Sequence, residues 1–175
     1  MYSIEKCRLP DNALLKTYEL NGAFTDCYTT VIPNTASHSQ YVQAFYTTPV
    51  FKLERAILAW LLAKPASDAQ ATLLADGKTN TFSAWTVENR CENQLLLCDF
   101  QKRTRSWLMI KHEEGKSGIQ TRLYFGSAVV SNKNKKTGSA SLGLVFHALS
   151  GFHKIYSVVL LRSAKSRLMK IKTIY

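Results

Sequence analysis

Six charged residues interrupt otherwise apolar, β-branched or aromatic runs of this chain: Asp26, Glu88, Arg90, Asp99, Arg103 and Arg105. Such a charge is chemically informative, because removing it from water costs on the order of several kcal/mol unless a partner or a ligand compensates. A carboxylate in a greasy cavity can act as acid or base, so Asp26, Glu88 and Asp99 are the residues available for enzyme chemistry. A charged pair can instead hold the polar head of an apolar ligand. A three-residue turn over residues 101–103 would set Asp99 opposite Arg105. That pair reads either as a ligand anchor or, more simply, as a solvent-facing cross-strand ion pair contributing about 0.2–1 kcal/mol. Glu54 and Arg55, adjacent in a helix-like run, point about 100° apart, so one of them should reach inward toward a strand charge such as Asp26.

Other chemistry finds little support. His147 and His153 are six residues apart and about 120° apart around a helix, so they do not form one metal site. No nucleophile elbow, zinc-protease helix, phosphate-binding loop or dinucleotide fingerprint occurs. Cys7, Cys27, Cys91 and Cys98 show no C-x-x-C spacing, and three lie in or beside strand-like segments, where a thiol serves as a small buried hydrophobe. Neither metal nor cofactor is expected.

The elements that must position these groups follow from periodicity. Asp11 is placed to cap a short helix, and residues 23–31 read as a first strand containing Tyr28. Residues 37–46 read as a helix stopped before Pro49, residues 50–62 as a second helix apolar on more than one face, and Asp68 as the cap of a third that ends at Gly77. Residues 82–90, 94–100, 104–112 and 119–130 read as four successive antiparallel strands. The end of the chain, residues 142–169, lacks proline and carries Leu142, Val145, Leu149, Phe152, Tyr156 and Val159 at alternating three- and four-residue steps. A helix of that extent spans about 42 Å and needs a large partner surface.

Length and a 46% hydrophobic composition fit one domain over residues 1–175, with a basic tail from 162 to 175. Residues 1–15 are charged throughout and unlike a secretory signal, so a cytoplasmic protein is expected. Of its net charge of +11, residues 1–100 contribute −2 and residues 101–175 contribute +13. Arg162, Lys165, Arg167, Lys170 and Lys172 could therefore meet an anionic membrane surface or an acidic protein. Nucleic acid is a poorer match, because the aromatics sit at core-like positions. Residues 142–161 are nearly apolar enough to span a bilayer, but Lys154 near the centre opposes it.

The order of strand, helices, four meandering strands and long helix is that of a helix-grip domain. The segments FYTTPVFKLERAI at 45–57, LLLCDF at 95–100, RTRSWLM at 103–109, LYFGSAVV at 123–130 and GFHKIY at 151–156 resemble a bacterial family of uncharacterised proteins, a likeness extending over most of the chain. That family is similar, more distantly, to the START-like superfamily. The resemblance implies an α+β fold in which a curved antiparallel sheet of about five or more strands grips a long C-terminal helix. It also implies a hydrophobic or amphipathic ligand, such as a lipid, held between sheet and helix, or a cyclase- or hydratase-type activity. Tyr28, Trp85, Trp107 and Tyr124 of the sheet with Leu149, Phe152 and Tyr156 of the helix are the expected lining, and Asp99 with Arg105 the expected polar anchor. The same aromatics would equally serve a filled core.

Overall fold

The computed structural model describes residues 3–53, 55, 66–115, 118–130 and 141–171, the last segment with side chains from residue 155 to residue 170. Among the described residues seven strands form one antiparallel sheet: β1 (Glu5–Lys6), β2 (Phe24–Ile32), β3 (Thr81–Phe82), β4 (Trp85–Cys91), β5 (Gln94–Asp99), β6 (Thr104–Gly115) and β7 (Gly118–Val129). Their order across the sheet is β1-β2-β7-β6-β5-β4-β3. Four numbered helices accompany them: α1 (Lys16–Leu20), α2 (His38–Tyr46), α3 (Asp68–Ala75) and the 31-residue α4 (Ser141–Ile171). The architecture is α+β, a curved sheet with a C-terminal helix.

The strand count exceeds the expected five for two local reasons. The first two-residue strand, β1, pairs with β2 through Glu5↔Thr29 and Lys6↔Tyr28. The expected strand over residues 82–90 is broken at Ser83, whose φ of 54° turns the chain so that Phe82 pairs back onto Trp85. The helix expected after Asp11 starts later, with Leu15 at its N-cap and no side-chain cap. Ser67 rather than Asp68 caps α3, and both Ser37 and Ser67 form reciprocal capping boxes, with Gln40 and Gln70. At the other end of α3, Gly77 (φ 74°) donates to the Leu74 carbonyl and Lys78 to that of Leu73, the Schellman arrangement that a left-handed glycine permits. Thr48 Oγ1 accepts from the Phe51 amide, and residues 49–53 and 55 are helical with Pro49 in the first turn. The rest of the helix expected there lies outside the described residues.

Alternation along the strands divides the core in two. Tyr28, Leu95, Leu97, Leu108, Ile110, Leu123 and Phe125 face α2, α3 and the end of α4. Their neighbours Cys27, Leu96, Trp107, Met109 and Ala128 face the opposite way and are covered by Leu9, Ala13 and Leu15 of the N-terminal segment. Buried Gln94 fastens that segment: its Oε1 accepts from the Leu14 amide at 2.9 Å and the Trp107 indole at 2.8 Å, and its Nε2 donates to the Asn12 carbonyl at 2.9 Å. On the helical side, Phe45 meets Phe125 at 4.8 Å, and Tyr46 packs on Phe51 at 4.8 Å and on Phe82 at 5.3 Å.

Helix α4 packs on α2, β2 and β7 through Ser157, Leu160, Leu161, Ala164 and Leu168, all buried. The inward stripe is thus displaced from the expected one: Tyr156 sits at its margin and Val159 is 38% exposed. The earlier part of that stripe, Leu142 through Phe152, lies outside the described side chains.

Gly126 lies where the sheet meets the N-terminal cover. A Cβ there would lie 3.0 Å from the Asp26 carbonyl, the Leu15 side chain and the Trp107 ring. Two of those neighbours are fixed by the sheet and by the Gln94 bond, so Gly126→Ala should lower the unfolding free energy by about 1–3 kcal/mol through overpacking, measured by urea unfolding.

Candidate functional site

The residues expected to line one pocket are distributed over both faces of the sheet. Trp107 and Tyr124 lie on the face covered by the N-terminal segment, 6.2 Å apart between ring centroids, and cannot line a space beneath α4. Arg105 is on that face too. Its Nε bonds Glu88 at 2.7 Å and the Tyr18 hydroxyl at 2.8 Å, its guanidinium carbon lies 4.6 Å from the centre of the Tyr18 ring, and Tyr18 in turn donates to Glu88. This trio holds α1 against the outer face. Asp99 does not oppose Arg105, because the register places Cys98 there. Its Oδ1 instead accepts from the amides of Arg103 at 2.7 Å and Thr104 at 2.9 Å, closing the β5–β6 turn.

Tyr28, Trp85 and Tyr156 are on the helical side as expected, packed into or against the main core. Leu149 and Phe152 lie outside the described side chains. Asp26 is buried on this side, its Oδ1 accepting from the Ser127 hydroxyl at 2.5 Å and amide at 3.2 Å. The inward member of the Glu54–Arg55 pair is Arg55, 8% exposed, and its partner is Asp68 at 2.7 Å rather than Asp26. Glu54 lies outside the described residues. Lys52 reaches the same carboxylate from the solvent side, and these two cations hold the Asp68 carboxyl below the usual range.

Among the described residues on or beside this helical side, the buried atoms Arg55 Nε, Trp85 Nε1, Ser157 Oγ and His38 Nε2 make no hydrogen bond. Arg55 and Trp85 are close in the fold, since the Arg55 guanidinium lies 5.9 Å from the Phe82 ring and Phe82 is the cross-strand partner of Trp85. Buried donors without acceptors are rare enough in native proteins to call for an explanation.

The fourth of these residues, His38, also lines a groove. Between the start of α2, the end of α3 and the β4–β5 hairpin lies a cavity of about 420 Å³, floored by Val42, Leu74 and Leu95 of the main core and rimmed by His38, Asp76, Arg90 and Glu92. Its size is within the range of small-molecule sites. Arg90 is held in place by the carbonyls of Leu74 at 2.9 Å and Thr79 at 3.4 Å, where it satisfies the C-terminal end of α3. Ser39 donates to Asp76 across the rim at 3.1 Å. The sequence reading missed this site, because His38 stands in a polar cap sequence and the groove is assembled from three separate elements.

Two tail cations fasten α4 rather than standing free: Lys165 donates to Thr30 at 3.0 Å and Arg167 to the Thr47 carbonyl at 3.3 Å. Arg162 and Lys170 are exposed, and Lys172 lies outside the described residues. Among the described residues no cluster of metal-ligating side chains occurs and no helix is long and apolar enough to cross a membrane. No family model and no curated protein matches this chain.

Burial pushes His38 down to about 4, opposed in part by a backbone hydrogen bond at Leu108 and assisted by the Arg90 charge. With the folded pKa below the unfolded value of about 6.5, the neutral ring's contribution is fully present above the unfolded pKa and is lost as pH falls toward the folded one. Between pH 7 and pH 5 the protein should therefore lose about 1–2 kcal/mol that His38→Gln does not lose, measured by paired urea titrations at the two pH values.

Proposed function

We propose that the protein is a START-like helix-grip module that binds a hydrophobic or amphipathic small molecule on the helix-covered side of its sheet. The observation that carries this reading is the groove of about 420 Å³ whose floor, Val42, Leu74 and Leu95, is continuous with the main core and whose wall includes His38. An apolar floor with polar groups converging from the rim is an arrangement that ligand sites share. The unbonded Trp85, Arg55 and Ser157 atoms on the same side support a ligand that enters the layer between sheet and helices. Binding is favoured over catalysis at the strand carboxylates because these are engaged structurally: Glu88 with Arg105, Asp99 in its turn and Asp26 with Ser127.

Ala75, the last residue of α3, lines the groove and is half-buried, so a larger side chain there fills the space without entering the fully buried core. Native mass spectrometry of protein purified from its own host should show a retained small molecule near one per chain, identified after denaturing extraction. Ala75→Trp should reduce its occupancy at least tenfold (about 1.4 kcal/mol) while Tm stays within a few degrees. Wild-type protein that carries nothing, or a ligand undisturbed by Ala75→Trp, would count against the groove as the site.

A further inference from the structure

We propose that Cys7 and Cys27 are a peroxide-oxidisable dithiol whose disulfide staples the N-terminal cover to the sheet. The two sulfurs are 3.3 Å apart, although the residues are 20 positions apart in the chain. The juxtaposition is built by the backbone. One step beyond the pairs Glu5↔Thr29 and Lys6↔Tyr28, the Cys7 amide donates to the Cys27 carbonyl at 2.9 Å, so the ladder itself sets the two side chains side by side. Directly opposed residues of antiparallel strands have Cα separations inside the range a disulfide spans.

The thiols are unequal in a way that assigns their roles. Cys7 is half-buried, whereas Cys27 is 1% exposed, so Cys7 is the thiol a small oxidant meets first. The hydrogen-bonded contact with Cys27 holds the Cys7 thiol below its ordinary value, against the effect of burial and with help from Arg122, while the same contact and burial push Cys27 up. The thiolate of Cys7 attacks one oxygen of hydrogen peroxide, the O–O bond breaks, and hydroxide departs to leave a sulfenic acid. Cys27 sulfur then displaces the hydroxyl from that sulfur; the S–S bond forms, and the departing oxygen leaves as water with the thiol proton. Two electrons pass from the thiols to the peroxide, which ends as two waters. The other two cysteines are differently placed: Cys91 Sγ donates to Asn93 and Cys98 Sγ to the Asp99 carbonyl.

The linked pair would anchor the segment that carries Leu9, Ala13 and Leu15 over Trp107. This inference is independent of ligand binding. Hydrogen peroxide applied to the full-length protein should lower its mass by about 2 Da, with a non-reducing peptide map joining Cys7 to Cys27, and dithiothreitol should reverse both. The linked form should melt about 5–10 °C higher than the reduced form, because a loop of this length is closed in the unfolded chain. Cys7→Ser should abolish the linkage and Cys91→Ser should leave it intact. The proposal is overturned if both thiols still alkylate after Cys91 is fully oxidised, or if Cys7 accumulates as a sulfinic acid without linkage. A linked form that melts no higher than the reduced one overturns the stapling role.

Discussion

The central strands of this sheet have apolar side chains on both faces, and both faces must be covered. Over residues 94–98, 105–110 and 123–128, strands β5, β6 and β7 are buried or half-buried on both faces, the pattern of a sheet covered on each side. The helices cover one face. The short stretch from Cys7 to Tyr18 must cover the other without a long element of its own, which is why its attachments are so specific: Gln94 satisfies three polar groups at once, and Arg105, Glu88 and Tyr18 close the end. The absence of a side chain at Gly126 lets the cover come down to contact.

The same division separates where polar groups are satisfied from where they are not. On the outer face the Trp107 indole has Gln94 and Arg105 has a carboxylate, so that layer reads as a finished core. On or beside the helical face Trp85 Nε1, Arg55 Nε, Ser157 Oγ and His38 Nε2 are buried without acceptors or donors. Each such group costs on the order of 1–3 kcal/mol relative to a bonded one. Polar groups are therefore satisfied on the outer face, whereas among the described residues these four buried atoms on or beside the helical face are not.

Element types were largely legible in the sequence, because turn chemistry and capping are local. Ser-x-x-Gln at residues 37–40 and 67–70, Gly77 and Pro49 each act within one turn, and the strand segments were bounded by polar connections. Faces were not legible. Alternation shows that Trp107 and Leu108 point opposite ways, but when both sides are apolar it does not say which one meets a helix, so Trp107 and Tyr124 were grouped with Tyr28 and Trp85. Partner identity failed for a related reason. A one-residue difference in the β5–β6 turn puts Cys98 opposite Arg105 and frees Asp99 for the turn amides. The contact of Cys7 with Cys27 arises from a two-residue strand, too short to leave any periodic signal.

Net charge is a poor guide to the groove. The chain carries +11, yet the rim opposes the carboxylates of Asp76 and Glu92 to the single guanidinium of Arg90, and that guanidinium is already bonded to two backbone carbonyls. His38 is neutral at pH 7 and, with burial pushing it down to about 4, stays neutral well below that pH. A multiply charged anion entering there would face two carboxylates and one committed cation, whereas a largely apolar molecule with one hydrogen-bonding group would match the floor and the unbonded Nε2 atom together. The excess positive charge resides elsewhere, partly in tail residues such as Lys165 and Arg167 that fasten α4, so the net charge of the chain and the charge of the groove rim are separate properties of this fold.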